Sequence, residues 1–343
     1  MNSRPPVGLT PGLTSGLTPG LTPGAPGPGV PGGPPAHPAR ESDRHPSELR
    51  QGPASLLRRL RRRRGALLGS GMLLAIVLFS VLGRYATPWG DADKDLDGLG
   101  VPPGVGGHLL GTDAGGFDLF AQLVSGTTRS LLIAAVVGLC APAIGAVYGA
   151  GIALLGGRRE RVGMWLLDML LLLPAFLLIA LAMTAADSQD PGGRGGAGSA
   201  WALAVLLTAL GWMPLARVVR TLTRSLRERE FVRAARYLGC SNASILRRHV
   251  APQLASYLVL MVVLGASTAI VTETLLSYLG VGVRPPEVSL GQLIGRSASQ
   301  LYAYPWLFWA PTVVLVWITL GLALLGDAVR DALDPNSTRG TSA

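Results

Sequence analysis

Long apolar runs separated by short polar stretches dominate the chain from residue 65 onward. Six of them approach or exceed the roughly 20 residues that a helix needs to cross a hydrocarbon core of ~30 Å. They span about 65–85, 128–155, 162–186, 200–219, 254–276 and 306–325. None alternates polar with apolar and each is too long for a strand. All six therefore read as helices, which satisfy their own backbone in lipid. The predicted class is an all-α, multi-pass membrane protein. Pro142, Pro174 and Pro311 interrupt the second, third and sixth runs. At each the helix bends, breaks, or kinks for packing, as membrane helices tolerate where a neighbour or cavity resatisfies the backbone. Gly138, Gly145, Gly149 and Gly151 suit close helix contacts in the second run.

Residues 1–64 follow another pattern. Glycines at 8, 12, 16, 20 and 24 mark a Gly-Leu-Thr-Pro repeat of period four, and Pro and Gly continue to Pro38. Such a segment cannot bury a core, so it reads as a disordered tail. A secretory signal is not expected, because the apolar stretch begins too late in the chain. The tail ends in the Arg58–Arg64 cluster, ahead of a transmembrane domain over 65–335 and a short C-terminal tail over 336–343.

Composition agrees with this division. Hydrophobic residues make up 49% and charged residues only 15%, against roughly 25% charged in a soluble domain. The net charge of +10 is almost entirely arginine, and Lys94 is the only lysine. The arginines sit beside apolar runs, which points to a membrane surface rather than to nucleic acid. Arginine-rich segments at 58–64, 158–161 and 217–248 fall on one side of six alternating spans, and the first loop on the other side carries Asp91, Asp93, Asp95, Asp97, Asp113 and Asp118. The positive-inside rule then puts both termini in the cytoplasm. Cys140 and Cys240 fall at different depths and the four histidines are scattered, so neither a disulfide nor a metal site is expected.

The segment 225–252 is the most informative loop. Leu226, Glu230, Ala234 and Leu238 recur every four residues, which predicts one helix ended by Gly239 in a left-handed conformation. Ser241 or Asn242 can cap a second helix through Ile245 toward Pro252. The product is a helix–turn–helix whose small residues let another surface approach. By spacing alone a solvated loop that only enforces topology is equally open.

This stretch resembles the cytoplasmic signature loop of ABC-importer permeases, in which Glu-Ala-Ala is followed after three residues by Gly and thirteen residues later by Pro. Ala234-Ala235, Gly239 and Pro252 fit that spacing; Arg233 stands where the family has an acid, and Ala251 where it has Leu. Glu230-Phe231-Val232 and Arg247-Arg248-His249-Val250 also resemble family wording. His108 to Asp113 with Gly116 and Asp118, Asp168 with Pro174, Glu273 ahead of Leu276–Val283 and Pro285-Pro286, and Leu325–Pro335 resemble the dipeptide/oligopeptide/nickel branch, C-type subunit. That branch usually has Gly-Arg-Asp where this chain has Gly116-Phe117-Asp118. The resemblance covers about His108 to Pro335.

It implies the type I ABC-importer permease (MetI-like) fold in a bacterial cell membrane. The implied partners are a second permease, two cytoplasmic ABC ATPases and an extracytoplasmic substrate-binding protein. The ATPases would be contacted through Glu230, Arg233, Ala234, Ala235, Gly239 and Pro252. The implied cargo is short peptides, with nickel or another small solute as the alternative. No cofactor is expected on this chain, and ATP is used by the partner ATPases. The residues agree: a Walker A loop needs Gly-Lys-Ser/Thr, and Lys94 lies between Asp93 and Asp95. No enzymatic role is expected.

Asp168 and Glu273 fall within spans, where ionisable groups are functional suspects. Both a pathway role and a helix-packing role stay open for each, and for Pro174. Tyr302, Tyr304, Trp306, Phe308 and Trp309 cluster at the outer end of the last run. They read as an interfacial anchor or, with Glu287, Gln292 and Arg296, as a contact for the binding protein. A secondary transporter would show internal repeats, and none joins the first three spans to the last three. No His-Glu-x-x-His or Gly-x-Ser-x-Gly word supports an intramembrane enzyme.

Overall fold

The computed structural model describes residues 63–188, 198–245 and 251–333. The repeat tail and nearly all of its arginine cluster lie outside the described residues, as do 189–197, 246–250 and 334–343.

The described chain is helical, with only isolated bridges between Lys94 and Phe117 and between Thr112 and Asp118. Helix α1 covers Arg64–Leu82 and ends in a 3-10 turn at Gly83–Tyr85. After the loop 86–118, α2 runs from Leu119 to Leu155. Its 37 residues extend about 55 Å at 1.5 Å per residue, well beyond the ~30 Å hydrocarbon core. It starts nine residues before the expected span, because Asp118 caps it by accepting a hydrogen bond from the Ala121 N–H at 2.8 Å. The polar residues that made these turns look like loop are inside the bundle: Gln122, Thr127 and Ser130 are all buried.

The expected third span is a pair of helices, α3 (Gly157–Leu171) and α4 (Ala175–Ser188). They are bent by 68° at a break that contains Pro174. Proline cannot donate the hydrogen bond that would continue α3, and its carbonyl instead accepts from Leu178 N–H at the start of α4. Pro142 and Pro311 sit inside continuous helices, as does Pro214. Helix α5 covers Ser199–Arg227, followed by short α6 (Glu230–Tyr237) and α7 (Asn242–Ile245). Helix α8 covers Ala251–Tyr278, α9 Leu290–Ser297 and α10 Pro305–Leu333. Five helices are long and apolar enough to cross a membrane, and the α3–α4 pair makes up to six.

Helix α2 is the axis of the bundle, packed along α5 and α8, while α10 packs on α1 and α8. Close approach needs glycine. A Cβ on Gly149 would lie 2.3 Å from the Ala216 carbonyl oxygen, and one on Gly138 2.8 Å from the Ala266 Cβ. Gly145 meets α5 in the same way, whereas Gly151 faces open space. Helix α9 falls in a stretch read as loop. Ser289 caps it by accepting from Gln292 N–H, and Leu290 and Leu293 bury it in the core that holds Ile270 and Ile318.

Candidate functional site

The basic ends of the helices meet where α2 stops. Gly156 takes a positive φ there, and Arg227 from the last turn of α5 donates to the Ala153 carbonyl at 2.9 Å. A cation on a helix C-terminus is favourable both as a hydrogen bond and against the helix dipole. Arg220 Nε donates to Glu160 at 2.7 Å, and Arg217 pairs with Asp168, so two ion pairs bind α3 to α5.

The helix expected over 226–238 is two elements. Helix α5 ends at Arg227, Glu228 and Arg229 turn the chain, and α6 starts at Glu230. An acid in the first turn suits the positive helix end. Eight residues are too few for a stable isolated helix, so α6 depends on its anchor. That anchor is Val232, buried at the foot of the bundle with Leu226, Ile245 and Leu254, beneath Leu154 of α2 and Val219 of α5. The other end of α6 is bare: Tyr237 and Leu238 are 83% and 84% exposed. Leu238 is outside the helix that the four-residue spacing extended to it. Gly239 has φ +80°, the left-handed turn expected of it. Ser241, not Asn242, caps α7, accepting from Ser244 N–H at 3.3 Å.

Glu230 and Arg233 are exposed on α6. Ala234 and Ala235 lie within α6 and Pro252 in the first turn of α8. The first turn accommodates a proline, whose missing N–H has no helical partner there. The segment 246–250, with part of the family-like wording, lies outside the described residues.

Glu273 is fully buried, accepting from Ser130 of α2 at 3.0 Å and Ser277 of α8 at 2.8 Å. Ser277 in turn accepts from Val283 N–H at 3.0 Å, and Ser130 from Leu290 N–H at 3.4 Å. This carboxyl thus ties α2 and α8 to the turn before α9. A cavity of about 480 Å³ opens between α2, α4, α5 and α8, lined by Val137, Ile179, Leu207, Pro214, Met261 and Thr268 among others. Asp168, Pro174 and Glu273 do not line it. These mostly apolar residues carried no chemical signal in the sequence.

At the opposite end, Glu287 accepts from Ser199 Oγ at 2.9 Å and Ala200 N–H at 2.8 Å, and so caps α5 from a distant loop. Tyr302 is fully exposed, while Trp306 is half-buried with its ring edge-on to Tyr304 at 5.7 Å. The loop 86–118 is organised on His108, which is buried and stacked on Trp89 with ring centroids 4.8 Å apart. Its Nδ1 meets Asp118 at 2.8 Å and its Nε2 meets Asp95 at 3.2 Å. Burial by itself lowers the His108 pKa, but the hydrogen bonds to Asp118 and Asp95 outweigh it and raise the value above 6.5. The same bond to His108 is the main cause that holds Asp95 below its ordinary 3.8. Arg129 to Asp91 at 3.0 Å and Arg296 to Asp113 at 3.3 Å fasten this loop to α2 and α9. Among the described residues no group of three or more His, Cys, Asp and Glu is placed to hold a metal ion.

The family described as the binding-protein-dependent transport system inner membrane component matches residues 141–339. The N-terminal TM domain of oligopeptide transport permease C matches residues 54–103, which extends the likeness through α1. The oligopeptide transport system permease protein OppC of Mycobacterium tuberculosis is 41% identical over 282 residues, 82% of this chain and 94% of that protein. A putative peptide permease protein of Brucella suis is 35% identical over 271 residues, 78% of this chain and 85% of the relative. The Haemophilus influenzae OppC is 30% identical over 279 residues, 81% and 86% of the two chains. A solved chain of the MetNI methionine ABC transporter, in inward-facing conformations, aligns at a TM-score of 0.49 and 20% identity, over 62% of this chain and 97% of its own.

Proposed function

The chain belongs to the family of binding-protein-dependent transport inner membrane components, and from that membership we propose that it is the C-type permease of a short-peptide ABC importer. The peptide assignment follows the names of the relatives, which are oligopeptide or peptide permeases. It pairs with a second permease, receives cargo from an extracytoplasmic binding protein, and is driven by two separate ATPases that hydrolyse the ATP. Its basic end faces the cytoplasm, in keeping with the arginine bias.

Helix α6 and the turn after it are the coupling element. The observation that carries this reading is the pair Tyr237 and Leu238. Both are more than four-fifths exposed, at the free end of a helix whose Val232 is buried in the bundle. Large apolar side chains left bare beside a polar rim mark a partner surface. A partner pushing on that end moves Val232, and with it the ends of α2, α5 and α8 packed around it. Arg233, where the family has an acid, lines a cleft shared with Glu160, Arg224, Arg227 and Glu228.

The apolar cavity between α2, α4, α5 and α8 is the half of the path contributed by this subunit, completed by the second permease. Lining of this kind suits cargo whose side chains vary and whose selection is made by the binding protein. Two paired variants test the coupling role, with Ala235 and Gly239 replaced by glutamate, or Tyr237 and Leu238 by aspartate. Each is expected to abolish co-purification with the ATPases while the permease still folds. ATPases that stay bound to both variants would sink it. Uptake of a labelled dipeptide or longer peptide by cells carrying the whole importer, in preference to a nickel complex, tests the cargo.

A further inference from the structure

Two helix faces oppose each other at the basic end. On α3, Gly157, Glu160, Arg161, Met164, Trp165 and Asp168 recur at three- and four-residue spacing, so they share one face. On α5, Arg217, Arg220, Arg224 and Arg227 do the same. Between them lies a cleft of about 530 Å³, continuous at Gly157, Glu160 and Arg224 with a second of about 470 Å³ that reaches Arg227, Glu228 and Arg233.

The charges do not cancel. Glu160 is engaged by Arg220 and Asp168 by Arg217. Glu228 reaches Arg224 only at 3.8 Å, with both side chains exposed. Six arginines therefore face three carboxylates, and Arg161 and Arg224 project into the first cleft with little or no compensation. Beside them Trp165 is 60% exposed, and Met169 and Leu172, four and seven residues further along the same side of α3 and its C-cap, are exposed as well.

We propose that this cleft binds an anionic phospholipid, with its phosphate between Arg161 and Arg224 and its acyl chains along Trp165, Met169 and Leu172. Basic pockets between spans on the cytoplasmic side are suited to such headgroups. Tryptophan at that depth is an interfacial side chain. The apolar run leading out of the cleft selects a lipid over a free phosphate, which has nothing to lay on Trp165 or Leu172. The inference rests on the membrane-spanning reading and not on the coupling role of α6, so either can fail alone.

Native mass spectrometry of the full chain in neutral detergent, with phosphatidylglycerol or phosphatidylcholine added, is the test. Each cation near an anionic lipid is worth about fivefold in affinity, so R161Q/R224Q is expected to weaken phosphatidylglycerol retention about 30-fold. R158Q/R159Q removes the same charge from exposed positions outside the cleft and is expected to leave retention within about threefold. R161K/R224K is expected to restore most of it, which separates charge from misfolding. Equal losses in the two glutamine pairs would overturn the site in favour of diffuse attraction. Retention of phosphatidylcholine at the same level would overturn it too. Displacement by millimolar glycerol phosphate would reassign the cleft to soluble phosphates, and displacement on adding the ATPases would reassign it to that partner.

Discussion

Replacing Glu273 with alanine separates its two candidate roles. The carboxyl is fully buried and accepts from Ser130 and Ser277, which also hold the amides of Leu290 and Val283. Alanine leaves two buried hydroxyls without their acceptor, at about 1–3 kcal/mol each. It also opens a void where one methylene and a carboxyl stood, worth roughly another 1 kcal/mol. The total is about 4 kcal/mol. Glutamine keeps the volume and one acceptor oxygen, and its cost is about 1 kcal/mol. At roughly 2–4 °C per kcal/mol for a domain of 150–250 residues, alanine lowers the apparent melting midpoint by about 10 °C and glutamine by about 3 °C. Size-exclusion chromatography after graded heating, in one detergent and at one scan rate, reads this difference. If both variants melted together, the hydrogen-bond account would be wrong. An alanine variant as stable as the parent but defective in uptake would move Glu273 into the transport path.

Gly149→Val places a Cβ at 2.3 Å from the Ala216 carbonyl, so α2 and α5 must separate, at a cost of about 3 kcal/mol or more; a fall in folded yield is expected. Gly151→Ala, facing open space, is neutral or stabilising by about 0.5–1 kcal/mol, and equal losses at the two positions would refute the close-packing argument. The His108 cluster gives the loop 86–118 a pH window. His108 has its pKa raised above 6.5, so its contribution is complete below that value and fades as pH rises through the raised one. Asp95 has its pKa lowered from 3.8, so its contribution is present above 3.8 and fades as pH falls through the lowered one. Hydrogen exchange at Asp95 and Leu119, corrected for intrinsic rates, is expected to be slowest between about pH 4 and 6.5 and to rise toward pH 9. A flat profile over that range would refute it.

The six apolar runs were legible because a lipid-facing helix needs nothing else to announce it. What was hidden were the ends. Helix α2 begins at Leu119, capped by Asp118, and its first turns carry Gln122, Thr127 and Ser130, polar in sequence and buried in the structure. Thr127 returns its hydroxyl to the Leu123 carbonyl at 2.6 Å, and Ser130 gives its own to Glu273. No hydropathy pattern reports a donor whose acceptor is on another helix. Glu287 is the same case: in sequence a loop acid available to a partner, in the fold the cap of α5, 88 residues away in the chain.

The loop at the basic end divides the other way. Its turn at Gly239 was readable because a left-handed residue has few identities, whereas the break at Glu228-Arg229 was not, since the apolar spacing runs straight through it. That break changes what the loop can do. A single helix over 226–238 would continue α5 as a rigid lever. With the break, α5 ends at the foot of the bundle, and α6 is a separate eight-residue element that cannot stand without Val232 in its socket. An element too short to fold alone, and bare at its far end, has its position set by whatever packs on both sides of it. That is the property the proposed coupling role asks of α6, and its short length and the exposure of Tyr237 and Leu238 are what supply it.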